Sequence, residues 1–342
     1  MYHYAFAFGL IMIASFFGNK FKQAFEPNDE YELIKKYLLN ESPLYGFNKP
    51  KIWIHSKNEI NARKWKSFYS RNTTDLNQPY KHLTIMSIIN HCGNDFNVCL
   101  IDDETFSKLI PTWDINLSTV AEPMKSQLRE IGLLQLVYFY GGMAVPNSFL
   151  CLKNLIGLYN DGISSGKPFV CEQIDRSANL MKQKNKLLFS PSIHMFGAVK
   201  NNDVIKELID YLKARNQTPH FSSEPEFLGD VSQWCINAIQ SQKMNLIGGE
   251  LIGLKTNKRK PILLEELMEE EFLDMTTDSY GIYIPDEDIL KRHKYQWFAV
   301  LSVEEILKTN TVLSKYMKAS IVDDYSLSKI SESTPSRTVM SI

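Results

Sequence analysis

No charge of one sign dominates this chain: 38 Lys and Arg stand against 39 Asp and Glu, for a net charge of −1. Nucleic-acid binding ordinarily needs a basic surplus to displace phosphate counterions, so no nucleic-acid partner is expected. The five cysteines (Cys92, Cys99, Cys151, Cys171 and Cys235) are odd in number and widely spaced, and no Cys-x-x-Cys occurs. That pattern excludes a zinc ribbon and a dense disulfide framework and leaves reduced, buried thiols. No internal repeat divides the chain. What remains is ordinary globular material, 44% apolar and 23% charged over 342 residues, enough for one large or two modest domains with a sizeable core.

Charge is also missing from the N-terminus. From Met1 to Asn19 no side chain is charged apart from His3 when it is protonated, and Tyr4 to Phe17 is almost wholly apolar. As a helix this segment spans about 28 Å at ~1.5 Å per residue, close to a hydrocarbon core of ~30 Å. Residues 1–19 are therefore expected to be a transmembrane anchor, with a buried first helix as the competing reading. A cleaved signal peptide is disfavoured by the absent basic start and by Gly18-Asn19-Lys20, a poor small-x-small site. Lys20 and Lys22, with Lys35 and Lys36 beyond, favour a cytoplasmic main domain, although Glu26, Asp29, Glu30 and Glu32 dilute that signal. Residues 20–49 read as a charged connector with a helix at Asp29–Leu39.

Beyond the connector, apolar runs alternate with helical spacing. Pro50-Lys51-Ile52-Trp53-Ile54-His55 predicts a buried first strand. Leu83–His91 predicts a helix. Asn97–Asp103 is an apolar run ending in paired acids, a central strand delivering carboxylates at its C-terminal edge. Leu128–Tyr140 predicts a helix closed by Gly141. Val145–Leu150 and Phe169–Gln173 predict strands, and Asn202–Arg215 an amphipathic helix with Val204, Leu208, Ile209 and Leu212 on one side. The alternation implies an α/β layer fold, a mixed sheet flanked by helices. Further on, helices are expected at Phe227–Ser241, at the acidic stretch Leu263–Leu273 and at Val303–Lys308. A turn is expected at Ile247–Glu250, a short strand at Tyr280–Pro285, and a mobile, serine-rich tail at 323–342.

The run Arg129-Glu130-Ile131-Gly132-Leu133-Leu134-Gln135-Leu136-Val137-Tyr138-Phe139-Tyr140-Gly141-Gly142, continuing into Met143–Phe149, resembles retaining sugar transferases of the Och1 and capsular-polysaccharide type. There a helix is followed by Gly-Gly and by a strand ending in Asp-x-Asp. Ile52-Trp53-Ile54-His55 is similar to that family's opening strand, and Leu100-Ile101-Asp102-Asp103 to a later strand ending in acids. The resemblance covers about residues 50–175. It implies a GT-A-like (Rossmann-like) domain over 50–322, a nucleotide-sugar donor, and donor-site candidates His55, Asp102, Asp103, Arg129, Glu130, Gly141, Gly142, Asn147 and Ser148. Residues 220–322 match no transferase motif and are a candidate C-terminal subdomain. The general texture, including Asp29–Leu33 and Lys294–Phe298, resembles proteins of large DNA viruses of algae and protists.

The family's metal centre is where the resemblance stops. Counted from Gly141-Gly142, the Asp-x-Asp positions are Pro146-Asn147-Ser148. A Mg or Mn site usually takes one or two carboxylates, whereas these residues offer only neutral oxygens. No metal site is expected. The family helix also carries an Asp and, three residues on, an Arg; here those places are Glu130 and Leu133. A frame using Ser126 and Arg129 instead needs four extra residues before Gly-Gly.

Each motif has a plainer reading. His55 is a donor contact or an ordinary strand-end histidine. Asp102 and Asp103 meet a ribose, hold a metal, or cap the helix starting near Glu104. Glu224-Pro225-Glu226 with Asp230 is an acceptor or metal contact or a helix N-terminus. Glu265–Glu271 is a solvated face or a partner surface, and Lys255–Lys260 a solvated loop or a phosphate contact. Arg129, Lys125 and Lys153 are the basic candidates for supporting a diphosphate. Asn40, Asn72, Asn116 and Asn216 head glycosylation sequons, used only if the domain is lumenal. Two functions follow: a glycosyltransferase homologue lacking its metal motif, or an inactive pseudo-transferase serving as a membrane-tethered structural or virion protein.

Overall fold

β1 (Lys51–His55) has an apolar centre, Ile52-Trp53-Ile54, and it lies where such a strand must, buried on both faces between two parallel neighbours. The computed structural model describes residues 49–56, 78–111, 113–174, 188–216, 224–271 and 273–321, with only the backbone of 224–226. The expected anchor at 1–19, the helix at Asp29–Leu39 and the tail at 323–342 lie outside the described residues. Among the described residues no helix is long and apolar enough to cross a membrane.

Along the chain, α1 (Tyr80–Cys92) follows β1, then β2 (Asn97–Ile101), α2 (Thr105–Leu109) and α3 (Met124–Tyr140). β3 (Gly142–Ala144), β4 (Phe149–Cys151), α4 (Ile156–Gly162), β5 (Phe169–Ile174) and β6 (Phe189–Ala198) come next. The order β2-β1-β3-β6-β5 continues to β7 (Asn245–Ile247) in one six-stranded sheet. β1 is parallel to β2 and β3, β6 antiparallel to β3 and β5, and β7 parallel to β5. The arrangement is mixed α/β with flanking helices, compatible with the GT-A-like fold expected from the sequence.

Two helices after β6 cover the sheet. α5 (Asp203–Asn216) turns Ile205, Leu208, Ile209 and Leu212 inward. The Asn202 side chain caps it by accepting from the N–H groups of Val204 and Ile205, at 3.1 and 3.2 Å. α6 (Glu224–Gln240) adds Phe227, Val231 and Cys235 to a core shared with Trp53, Phe106, Leu134 and Phe196.

The Gly-Gly turn is fixed by its neighbours. Gly141 ends α3 with φ +71° and ψ −174°, a backbone conformation open to glycine, and its N–H donates to Val137 at 2.8 Å. Its carbonyl accepts the Trp53 indole N–H at 3.0 Å, which locks the turn to β1. Gly142 has φ +95°, and a Cβ there would lie 2.8 Å from the Lys51 nitrogen and closer still to its carbonyl oxygen. Only glycine lets β3 come this near to β1.

Three sequence expectations are corrected. The strand expected at Val145–Leu150 is interrupted: β3 ends at Ala144, and β4 belongs to a separate two-stranded sheet with β8 (Gly281–Tyr283). Pro146 has no N–H to extend a ladder, so the chain leaves the first sheet there. The acidic helix expected at Leu263–Leu273 is a single turn, α7 (Leu264–Leu267). Glu265 and Glu266 suit a helix start, but Glu269–Glu271 would crowd the negative end of its dipole. Glu269, Glu270 and Glu271 are exposed, as the solvated-face reading expected, and the stretch also docks on the chain's own C-terminal part: Val312 N–H donates to the Glu269 carbonyl at 2.7 Å and Asn310 to the Glu270 carboxylate at 2.8 Å. The longest strand, β6, went unanticipated because Pro191 interrupts its pattern. Pro191 lies opposite Glu172 of β5 and outside the stretch of β6 that pairs with β3, so its missing N–H breaks no bond to β3.

β4 and β8 pack with α1 and the short helices α8 (Asp286–Lys291), α9 (Gln296–Val300), α10 (Val303–Lys308) and α11 (Val312–Ile321). Their second core joins Tyr80, Leu150, Ile282, Ile284, Phe298 and Met317. All five cysteines are buried and unbridged.

Candidate functional site

The C-terminal ends of β1 and β3 open onto a cavity of about 480 Å³. In sheets of this kind ligands lie beyond the carboxyl ends of parallel strands. α3 supplies one wall. Ser126, Gln127, Arg129, Glu130 and Leu133 all line the cavity, since residues three and four apart share a helix face. Both frames expected from the sequence resemblance, the one through Glu130 and the one through Ser126 and Arg129, therefore point into the same space. The break between the two sheets, Ala144 to Ser148, forms the floor, and Lys81 of α1, His194 of β6 and the 283–288 segment complete the enclosure.

Asp103 organises the first wall from behind. Its carboxylate takes two N–H bonds from Arg129, at 2.8 and 2.7 Å, and one from His55 Nε2 at 2.9 Å. Burial works against its charge, but the His55 and Arg129 hydrogen bonds outweigh burial and hold the carboxyl well below the usual carboxylate range. Arg129, only 6% exposed, also reaches Glu122 at 3.4 Å. The His55 ring stacks on Phe106 at 5.4 Å. Asp102 turns the other way: it accepts from the Thr105 N–H at 2.9 Å and its hydroxyl at 2.6 Å, securing the start of α2. Of the paired acids, one caps a helix and the other positions two cavity residues.

The opposite wall pairs Lys81 Nζ with Asp286 Oδ2 at 2.7 Å. One turn along α1, the Thr84 hydroxyl donates to the Asn147 carbonyl at 2.6 Å. The Ile284 N–H donates to the Ser148 carbonyl at 3.2 Å, and Ser148 is 2% exposed. The floor is thus pinned from both sides, and the Asn147 and Ser148 carbonyls already accept hydrogen bonds. A divalent cation, implied by the family resemblance, does not fit these residues: Pro146, Asn147 and Ser148 supply no carboxylate. Among the described residues no group of three or more His, Cys, Asp or Glu side chains gathers as a metal site.

No known family's sequence profile matches the chain. No curated protein matches it either. Among solved structures it is similar to PaToxG glycosyltransferase, with 14% identity, 63% of this chain and 82% of that one covered, and a TM-score of 0.36.

The predicted site residues divide as follows. His55, Arg129, Glu130, Asn147 and Ser148 line the cavity; Asp103 backs it; Gly141 and Gly142 build the turn that aims β3 at it; Asp102 stands apart as a cap. Lys125 and Lys153 are not in its walls, and Lys153 donates instead to the Thr277 carbonyl. Lys255, expected in a solvated loop, is paired with Glu172 and lies 4.4 Å above the Phe189 ring. Glu224 begins α6, as the helix-start reading expected, and Asp230 pairs with Arg215. Sequence reasoning missed Lys81, His194, Asp286 and Arg292 of the lining. Lys81 did carry a signal: a lysine near the start of a helix whose Tyr80, Leu83, Ile85 and Ile88 are buried.

Proposed function

We propose that this chain is a glycosyltransferase-like protein of the Och1/capsular type that takes a nucleotide sugar into the cavity at the ends of β1 and β3. One observation carries the reading: His55, Arg129, Glu130 and the Pro146–Ser148 break, distant in sequence, converge on a single cavity at the carboxyl ends of parallel strands. The walls hold Glu130, Glu265, Asp286, Glu287 and Asp288 beside Lys81, Arg129 and Arg292, so they offer acceptors for the sugar and a smaller set of cations for the phosphates. Carboxylates and amides such as Glu130 and Gln127 match sugar hydroxyls, and fixed cations match phosphates. Glycosyl transfer needs its diphosphate leaving group stabilised, which preorganised cations do without reorganising at the moment of reaction. In this reading Met1–Asn19 is a single-pass anchor, and Lys20 and Lys22 keep the domain cytoplasmic.

The competing reading, an inert homologue using the cleft as an interaction surface, is favoured by Pro146 and Ser148 in place of carboxylates. Thermal melting of the full chain with UDP- and GDP-sugars, with Mn and with chelator, separates the two. A donor at a hundredfold excess over its Kd adds about 2.7 kcal/mol to the native state, and the midpoint is expected to rise by about 5 °C. An unchanged midpoint with every donor, in both conditions, leaves the inert reading.

A further inference from the structure

We infer that Lys81, clamped by Asp286, takes the place of the missing dication, so that the cleft holds the diphosphate of its ligand without metal. This rests on the nucleotide-sugar reading above and deepens it. Where the family resemblance calls for anionic metal ligands, the chain has Pro146, Asn147 and Ser148, whose oxygens are neutral and whose Asn147 and Ser148 carbonyls already accept hydrogen bonds.

The lysine stands over that same segment. Thr84, which holds the Asn147 carbonyl, is three residues from Lys81 on the same helix face. Asp286 comes two residues after Ile284, whose N–H holds the Ser148 carbonyl. Both members of the ion pair therefore flank the floor, and both line the cavity. The Lys81 side chain is 12% exposed, and one of its three N–H donors is directed to Asp286 at 2.7 Å. The tether fixes a compact point charge within reach of phosphate oxygens, the mode in which lysine binds phosphate. The other cations are placed differently. Arg129 is committed to Asp103 by a two-point bond, and Arg292 to Glu265.

A plain structural tether between α1 and α8 would have the same geometry, so the test must treat the two partners differently. Full-length protein is titrated calorimetrically in EDTA with UDP, GDP and inorganic pyrophosphate, alongside Lys81→Met, Lys81→Arg and Asp286→Asn. Wild type is expected to bind a nucleoside diphosphate in EDTA. Lys81→Met should weaken that binding at least tenfold, and Lys81→Arg should keep it within a few-fold. Asp286→Asn keeps an amide oxygen to accept from Lys81 while removing the competing negative charge, so it should bind as tightly as wild type or more so. Equal losses in Lys81→Met and Asp286→Asn identify a mere tether and overturn the inference. If Lys81→Met does not fold, weakened binding by Lys81→Arg and Asp286→Asn alike overturns it too. Binding that appears only with Mn overturns it and leaves the nucleotide-sugar reading standing. No binding with or without Mn removes both.

Discussion

At the scale of single residues, Asp103 is the group whose loss is felt in two places. It accepts from Arg129 and His55, and removing its charge leaves a guanidinium that is 6% exposed with the more distant Glu122, at 3.4 Å, as a carboxylate beside it. Breaking one side of a buried pair is more costly than the pair is worth, so Asp103→Asn is expected to lower stability by about 2–3 kcal/mol in urea unfolding. The same bonds make a pH prediction. The folded-state value of Asp103 is depressed, so its contribution is fully present above the unfolded value of about 3.9 and is lost as pH falls below it. Wild type should therefore lose stability more steeply than Asp103→Asn below about pH 4. Parallel acid limbs for the two proteins would contradict the assignment.

At the scale of elements, the decisive joint is the end of α3. Helix stop, turn and strand start are compressed into Gly141 and Gly142, with the Trp53 indole fastening the first and the β1 backbone crowding the second. Gly142→Ala must adopt an unfavourable φ and also push β3 away from β1. A loss of about 3 kcal/mol or more is expected, read as a lowered urea midpoint with unchanged slope. The next joint was harder to foresee. Val145 to Leu150 is apolar throughout except at Asn147 and Ser148, and it looks like one strand. A single missing N–H at Pro146 sends it from one sheet to another, and the gap becomes the floor of the cavity. The acidic stretch after α7 shows the reverse case: local charge stops a helix that apolar spacing alone would continue.

At the scale of the whole described region, the cavity lies where the six-stranded sheet and the β4–β8 sheet meet, each with a core of its own. Lys81, Thr84 and Asp286 are held by the second core through Tyr80, Leu83 and Ile289. Phe298, fully buried and packed 5.4 Å from the Tyr80 ring, is a test of that dependence. Phe298→Ala should lower stability by about 3–5 kcal/mol, and a milder Phe298→Leu should weaken the proposed nucleotide binding although Phe298 does not line the cavity. Unaltered binding in Phe298→Leu would mean that the second core does not set the geometry of α1.

The sequence by itself determined the local grammar of the sheet's centre. β1, β2 and α3 were legible because each buries a continuous apolar run or stripe, and Gly141-Gly142 because no other residue pair turns so tightly. It also determined that the Asp-x-Asp places hold no carboxylate, which is chemistry independent of geometry. Only the tertiary structure decided which polar residues share a space. Lys81 and Asp286 are 205 positions apart and form one ion pair, while Asp102 and Asp103 are adjacent and face different tasks. Nothing in a residue's neighbours along the chain encodes such meetings. They follow from packing two cores against each other, and the choice between a cap, a brace and a ligand contact is made there.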